Sequence, residues 1–279
     1  MNAEKINYWL NISNEMSDSV EKAINDSRKD PELSSITKMG ADGTPTHKID
    51  EYAENAAIKV LENTGKSLIL ISEEIGKIKI GSDKAEVLII LDPLDGTTNA
   101  TRQMPCYGIS IAIADLEDVY DINDVTLENI EIGYVKNFPT GDAYRAVKNQ
   151  GATKNGIPIN SISNVKRVRD STLCTYVYRA KSEKLSNLCS SVRRIRIMGS
   201  IAIEMCYVAD GVYDAYLDIG KIVRILDIAA SQLIIRENNG VITDYDGNKL
   251  SSKLKLTEKT SVMATCTKEL HDDMMEYLH

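Results

Sequence analysis

Leu91-Asp92-Pro93-Leu94-Asp95-Gly96-Thr97-Thr98-Asn99 is the stretch that decides how this chain folds. It closes an apolar run, Val87-Leu88-Ile89-Ile90-Leu91, too short for an ordinary helix and rich in β-branched residues, which reads as a buried strand. Asp92 stands at that strand's end. Pro93 cannot donate the next ladder hydrogen bond, Gly96 permits a positive φ, and Thr97, Thr98 and Asn99 can cap a helix. The pattern predicts a strand, a tight turn and a helix start, with two carboxylates that can converge on one point. Neither has a Lys or Arg immediately beside it, so a divalent cation is the natural partner. Asp-Pro or Asp-Gly alone is ordinary turn chemistry, and only the whole stretch says more.

Around this stretch the composition is that of a globular protein, with 43% hydrophobic and 27% charged residues in a chain of 279. That length suits one large domain or two modest ones, and a boundary is expected near residue 160, giving segments 1–160 and 161–279. No apolar run reaches the roughly 20 residues of a membrane span, and the start, MNAEKINYWLN, lacks the basic and apolar regions of a signal peptide. The expectation is a cytoplasmic protein that does not engage membranes. Five cysteines without a CxxC pair argue against a disulfide framework, and a net charge of −8 argues against a nucleic-acid partner.

Upstream, Ile6, Trp9, Leu10, Met16, Val20 and Ile24 recur at helical steps. A loop over Met39–Thr46 precedes a second helix, from about Thr46 to Asn63, with Asp50 in its first turn. Ser67 to Ser72 reads as a strand ending in Glu73-Glu74. Adjacent glutamates are ordinarily solvated charge, but these follow a strand just as Asp92 and Asp95 do. Downstream, Tyr107–Ala114 reads as a strand, Ile130–Lys136 with Asp142–Lys148 as a hairpin, Glu117–Asn129 as a surface loop, and the polar stretch Asn149–Lys166 as the approach to the boundary. Arg193-Arg194-Ile195-Arg196-Ile197-Met198 alternates as a strand and leads into Gly199-Ser200 and an apolar helix. A strand over Val212–Asp218, a helix from Ile225 to about Asn239, a strand near Ser261–Thr267 and a terminal helix from Lys268 complete the α/β rhythm. Asp227, at the start of the helix from Ile225, has an ordinary explanation as a cap.

Taken in order, Glu73-Glu74, the Asp-Pro-Leu-Asp-Gly-Thr-Thr-Asn stretch, Gly199-Ser200 before a helix and Asp227-Ile228-Ala229-Ala230 resemble the inositol monophosphatase and fructose-1,6-bisphosphatase superfamily. The superfamily has Trp where this chain has Leu226. The detailed likeness, in Gly-Ala-Asp-Gly-Thr-Pro-Thr and Arg-Arg-Ile-Arg-Ile-Met-Gly-Ser, is to archaeal-type members. The resemblance implies an α/β (α+β) fold, a layered αβαβα sandwich with the site between its two parts, and a homodimer. It implies Mg²⁺, with Mn²⁺ as a substitute, in two or three ions. Glu73, Asp92 and the Leu94 carbonyl would hold one, and Asp92, Asp95 and Asp227 the second, while a contact of Asp42 with a third is left open. Catalysis would fall to Glu73, to Thr97 orienting a water, and to Asp50 as acceptor for Thr97. Asp95, Gly96, Thr97, Arg196, Gly199, Ser200, Ile201 and Asp218 would face the substrate. The histidines, His47, His271 and His279, lie outside these elements, as a hard-cation site of oxygen ligands requires.

The implied activity is hydrolysis of small sugar or polyol phosphates, inositol monophosphate or fructose 1,6-bisphosphate, by activated water without a covalent intermediate. NADP⁺ or 3′-phosphoadenosine phosphate is the alternative substrate within the family. A haloacid-dehalogenase-type phosphatase would place its paired aspartates two positions apart, unlike Asp92 and Asp95. A noncatalytic metal- or polyol-phosphate-binding regulator is the rival of another class.

Overall fold

A computed structural model of the chain describes residues 1–160, 163–178 and 182–278. Ser161 and Ile162, in the polar stretch expected to approach a boundary, and His279 lie outside the described residues. The helices are α1 (Ala3–Ser27), α2 (Lys48–Asn63), α3 (Thr97–Arg102), α4 (Glu183–Ser191), α5 (Ile201–Ala209), α6 (Ile225–Glu237) and α7 (Lys268–Leu278). None is long and apolar enough to cross a membrane.

An eight-stranded sheet runs in the order Ile157–Pro158, Gly151–Lys154, Ala143–Val147, Ile130–Asn137, Gly108–Asp115, Val87–Asp95, Leu68–Ser72, Gly76–Ile80. Neighbours are antiparallel except Leu68–Ser72 and Val87–Asp95, which run parallel. A five-stranded sheet follows in the order Arg194–Ile195, Thr172–Thr175, Ala215–Arg224, Lys259–Thr265, Val241–Thr243.

Alternate residues explain why the strand before the signature is apolar throughout. Val87, Ile89 and Leu91 face a core shared with Trp9 and Met16 of α1 and Ile49 and Leu61 of α2. Leu88 and Ile90 face the opposite core, shared with α5 and α6. A strand covered on both faces has no polar side to display. The second sheet divides likewise. Tyr216, Val262 and Ala264 face α5 and α6, whereas Leu217 and Met263 join Leu185, Leu188, Leu270 and Met274 under α4 and α7. The layers are therefore helix, sheet, helix, sheet, helix, the expected αβαβα sandwich.

Several local expectations are corrected. The 149–166 stretch adds the Gly151–Lys154 and Ile157–Pro158 strands to the first sheet. The strand expected over Arg193–Met198 is limited to Arg194–Ile195, because only Thr172 and Leu173 lie opposite to pair with it. Residues 36–47 hold a two-stranded hairpin, Ile36–Met39 with Pro45–His47, with the expected loop at its tip. Within the expected surface loop, Val125 and Leu127 are buried beside two short 3₁₀ turns, pinning the segment to the core.

Candidate active site

Parallel pairing places the first acidic residues together. Ser72 lies opposite Leu91 in the register, so Glu73, just past the end of its strand, and Asp92 on the neighbouring strand stand side by side. The strand does not stop at Asp92 as its Pro93 suggested. Asp92 lies opposite Ser110 and Asp95 opposite Gly108, so one extra residue is accommodated as a bulge, the setting in which a sheet tolerates proline. Gly96 then turns the chain with φ 94° into the six-residue α3.

The bulge directs Asp92 and Asp95 differently. Asp92 is 1% exposed. Its Oδ1 accepts from the Leu94 N–H at 3.1 Å, while its buried Oδ2 has no hydrogen-bond partner. Asp95 Oδ2 accepts from Ser200 Oγ and from the Ala202 N–H, both at 2.7 Å, which ties the signature to the start of α5. Thr97 Oγ1 donates to Asp50 Oδ1 at 2.8 Å, and Asp50 also accepts from the His47 N–H at the start of α2. The Leu94 carbonyl lies 3.3 Å from Thr97 Oγ1.

Asp227 reaches this cluster from the first turn of α6, opposite the capping residue Arg224. The Arg224 guanidinium is the cation at the centre. It donates to Asp227 Oδ1 at 2.7 Å, to Asp42 Oδ2 at 2.6 Å and to Glu73, and stands 4.0 Å from Asp92 Oδ2. Against the cost of burial, Asp227 and Glu73 hold Arg224 firmly charged.

One guanidinium is too little charge for so many carboxylates. Burial pushes Glu73 up to about 8, with Arg224 pulling it down and Asp227 and Asp42 adding to the rise. Burial likewise pushes Asp95 up to about 7, reinforced by Asp227. Asp92 is driven well above the usual carboxylate range by burial and by the nearby Glu73 and Asp95. Asp50 is raised by burial despite its bonds to Thr97 and His47. Asp42 goes the other way, because bonds from Thr44 and Arg224 overcome its burial. Such a site favours added positive charge or bound protons.

Of these groups Asp50, Glu73, Asp95, Arg224 and Asp227 line a cleft of about 750 Å³, whereas Asp42 and Asp92, like Leu94 and Gly96 of the signature, are not among its lining residues. Asp50, Glu73, Asp95, Thr97, Gly199, Ile201 and Asp227 line it among the residues singled out by sequence. Arg196 does not: it is exposed, and its guanidinium bonds the neighbouring Ile195 carbonyl. Nor does Ser200, buried against Asp95, or Asp218, which is 3% exposed and accepts from the Gly220 N–H. The walls bring in Tyr176, Tyr178, Ile222 and Lys259, which sequence reading passed over. Tyr176 and Tyr178 lie in irregular chain, Lys259 at the first residue of a strand and Ile222 at the break in register within the Ala215–Arg224 strand, where periodicity carries no signal. Glu74, the second of the Glu pair, also lines the cleft; it is bonded to Thr46, and burial pushes it up to about 7. In the sequence Arg224 stands out only by its nearness to Asp227.

The donor set fits hard divalent cations: clustered carboxylates, with the cleft's His47 engaged through Nδ1 with the Ser34 carbonyl, and a buried Asp92 oxygen without a hydrogen-bond partner. Among the described residues, no three acidic, His or Cys side chains yet close on one point as a cation cage, and the Arg224 guanidinium stands between them.

Comparison with known proteins agrees with this architecture. The family model described as the inositol monophosphatase family matches residues 7–279. A fructose-1,6-bisphosphatase/inositol-1-monophosphatase of Methanothermobacter thermautotrophicus is 42% identical over 280 residues, covering 100% of this chain and 99% of that one. A bifunctional NADP phosphatase/NAD kinase of Methanococcus maripaludis is 39% identical over 270 residues, 94% of this chain and 46% of the relative, so the chain spans about half of that protein. Among solved structures, an inositol monophosphatase–fructose 1,6-bisphosphatase superposes with a TM-score of 0.81 at 28% identity, over 96% of this chain and 99% of the other. The chain belongs to the inositol monophosphatase family and is a phosphoric monoester hydrolase.

Proposed function

We propose that the enzyme hydrolyses the phosphate monoester of a small sugar or polyol, such as inositol monophosphate or fructose 1,6-bisphosphate, with Mg²⁺ held by Glu73, Asp92, the Leu94 carbonyl, Asp95 and Asp227. The observation that carries this reading is the undercharged carboxylate cluster at the cleft floor, with the buried Asp92 Oδ2, which has no hydrogen-bond partner, beside it. Bound divalent cations would supply charge neutralisation at the phosphate and acidify a water. The chain's own residues do the rest. The Thr97 hydroxyl donates its hydrogen bond to Asp50 Oδ1, so the lone pairs of Oγ1 are free to accept from an attacking water and orient it. Asp50, raised by burial, is suited to hold the proton passed along that bond. Gly199 and Ile201 form the wall that meets the substrate's carbon skeleton.

A nucleotide phosphate such as NADP⁺ is the second reading. It is favoured by Tyr178, 72% exposed, and Ile222, 40% exposed, on the same cleft beside Lys259, a surface on which a base could stack. Phosphate release from inositol 1-phosphate, fructose 1,6-bisphosphate and NADP⁺, with Mg²⁺ and with chelator, tests both. Mg²⁺-dependent release from a sugar or polyol ester is the expected result. Release from NADP⁺ alone would favour the second reading, and release unaffected by chelator would contradict the metal-dependent one.

A further inference from the structure

Glu204, in the first turn of α5, is fully buried and lies behind the cleft wall, outside the carboxylate cluster. Each of its oxygens accepts from one backbone N–H and one side chain. Oε1 takes the Met198 N–H at 2.6 Å and Cys174 Sγ at 3.2 Å. Oε2 takes the Gly199 N–H at 3.1 Å and the Tyr176 hydroxyl at 2.6 Å.

The peptide joining Met198 to Gly199 is thereby fixed at both ends. Its N–H goes to Glu204, and its carbonyl accepts from Asn99 Nδ2 of the signature at 2.7 Å. Tyr176, Gly199 and Asn99 all line the cleft, whereas Glu204 does not. Burying a carboxylate is costly, and an apolar side chain would fill the space more cheaply if packing were its only task. What only a carboxylate provides is two acceptor oxygens facing two backbone donors at once. Glutamine has a single acceptor oxygen, so its amide NH₂ would confront one of those N–H groups.

We propose that Glu204 is the positioning residue of the substrate wall, holding Gly199 and Tyr176 in register with the metal-binding signature through Asn99. This rests on the reading that the wall meets the substrate's carbon skeleton. Its consequence is selective: loss of Glu204 weakens recognition of that skeleton and leaves phosphate chemistry on the cleft floor intact.

The test compares Glu204→Gln with the wild type on inositol 1-phosphate and on 4-nitrophenyl phosphate, which lacks the polyol, with amide exchange at Met198 and Gly199 followed in parallel. The expected result for the polyol ester is a KM raised about tenfold with kcat changed less than about twofold, the size of losing one hydrogen bond to a charged group. Turnover of 4-nitrophenyl phosphate should stay within about twofold, and exchange at Met198 or Gly199 should quicken about tenfold while residues 87–91 stay protected. Tyr176→Phe, which keeps the ring and removes one donor to Glu204, should raise the polyol KM by about twofold to threefold. An unchanged polyol KM, or equal losses on both esters with protection lost at 87–91, would overturn the proposal and leave Glu204 a core residue. If the wild type hydrolyses neither these esters nor fructose 1,6-bisphosphate, the proposed function fails, and unchanged exchange at Met198 and Gly199 in Glu204→Gln would still overturn the positioning role.

Discussion

Arg224 gathers Asp42, Glu73 and Asp227 around one guanidinium, so truncating it leaves three carboxylates without their common counter-ion. Arg224→Met should destabilise the chelated protein by ~3 kcal/mol or more, as breaking a buried ion pair does. Saturating Mg²⁺ should return most of the loss, because a ligand at about 100 times its Kd stabilises by ~2.7 kcal/mol. Thermal unfolding with and without Mg²⁺ checks both statements, and a variant as stable as wild type in chelator would remove Arg224 from its central place. The same cluster sets a pH dependence. Glu74 and Asp95, pushed up to about 7, and Glu73, pushed up to about 8, keep protons in the folded chain that the unfolded chain has already released. Their contribution is therefore present at low pH and lost as pH rises through those values. In chelator the unfolding midpoint should fall from about pH 5 to about pH 8, and Mg²⁺, which favours the ionised forms, should flatten that fall. A midpoint rising over this range in chelator would contradict the raised carboxylates.

At the scale of elements, α6 must lie close to the first sheet because it delivers Asp227. Gly133, in the Ile130–Asn137 strand, makes that approach possible: a Cβ there would stand 2.6 Å from the Ala230 carbonyl of α6. Gly133→Val should push the helix outward, lowering stability by ~1–3 kcal/mol, the usual range for overpacking, and reducing turnover because Asp227 moves with it. Unfolding midpoints and steady-state rates measured together check this, and full activity in a destabilised variant would show that the site does not depend on the seat of α6. Elements with strong periodicity were the readable ones. The six apolar positions of α1 and the unbroken run at Val87–Leu91 announce themselves, because burial on one face or on two writes directly into the order of residues. The Ile36–Met39 strand is wholly exposed, so no alternation marks it. Arg193–Met198 shows the reverse: it alternates, but the length of a strand is set by what lies opposite it, and only two residues find partners there.

For the whole molecule, the αβαβα layering brings Glu73, Asp95 and Asp227, from distant parts of the chain, to one cleft floor, with Asp42 and Asp92 gathered to them around Arg224. Asp92 and Asp95 announce themselves in the turn after a strand, Glu73 and Asp227 through the resemblance of their surroundings to the superfamily, and the part played by Asp42 stays open in the sequence. Their common counter-ion, the cleft walls and the role of Glu204 could not be read in advance, since those depend on contacts such as Arg224 to Asp42 that span the chain. The account's central claim is that this acidic floor works by binding divalent cations, and phosphate release measured during a Mg²⁺ titration of wild type beside Asp92→Asn tests it most directly. The account predicts saturable activation of the wild type and a loss of at least about a thousandfold in Asp92→Asn at every Mg²⁺ concentration, the scale expected when a metal's contribution to transition-state charge is removed. Turnover by Asp92→Asn at the wild-type rate, or by the wild type without any divalent cation, would contradict it.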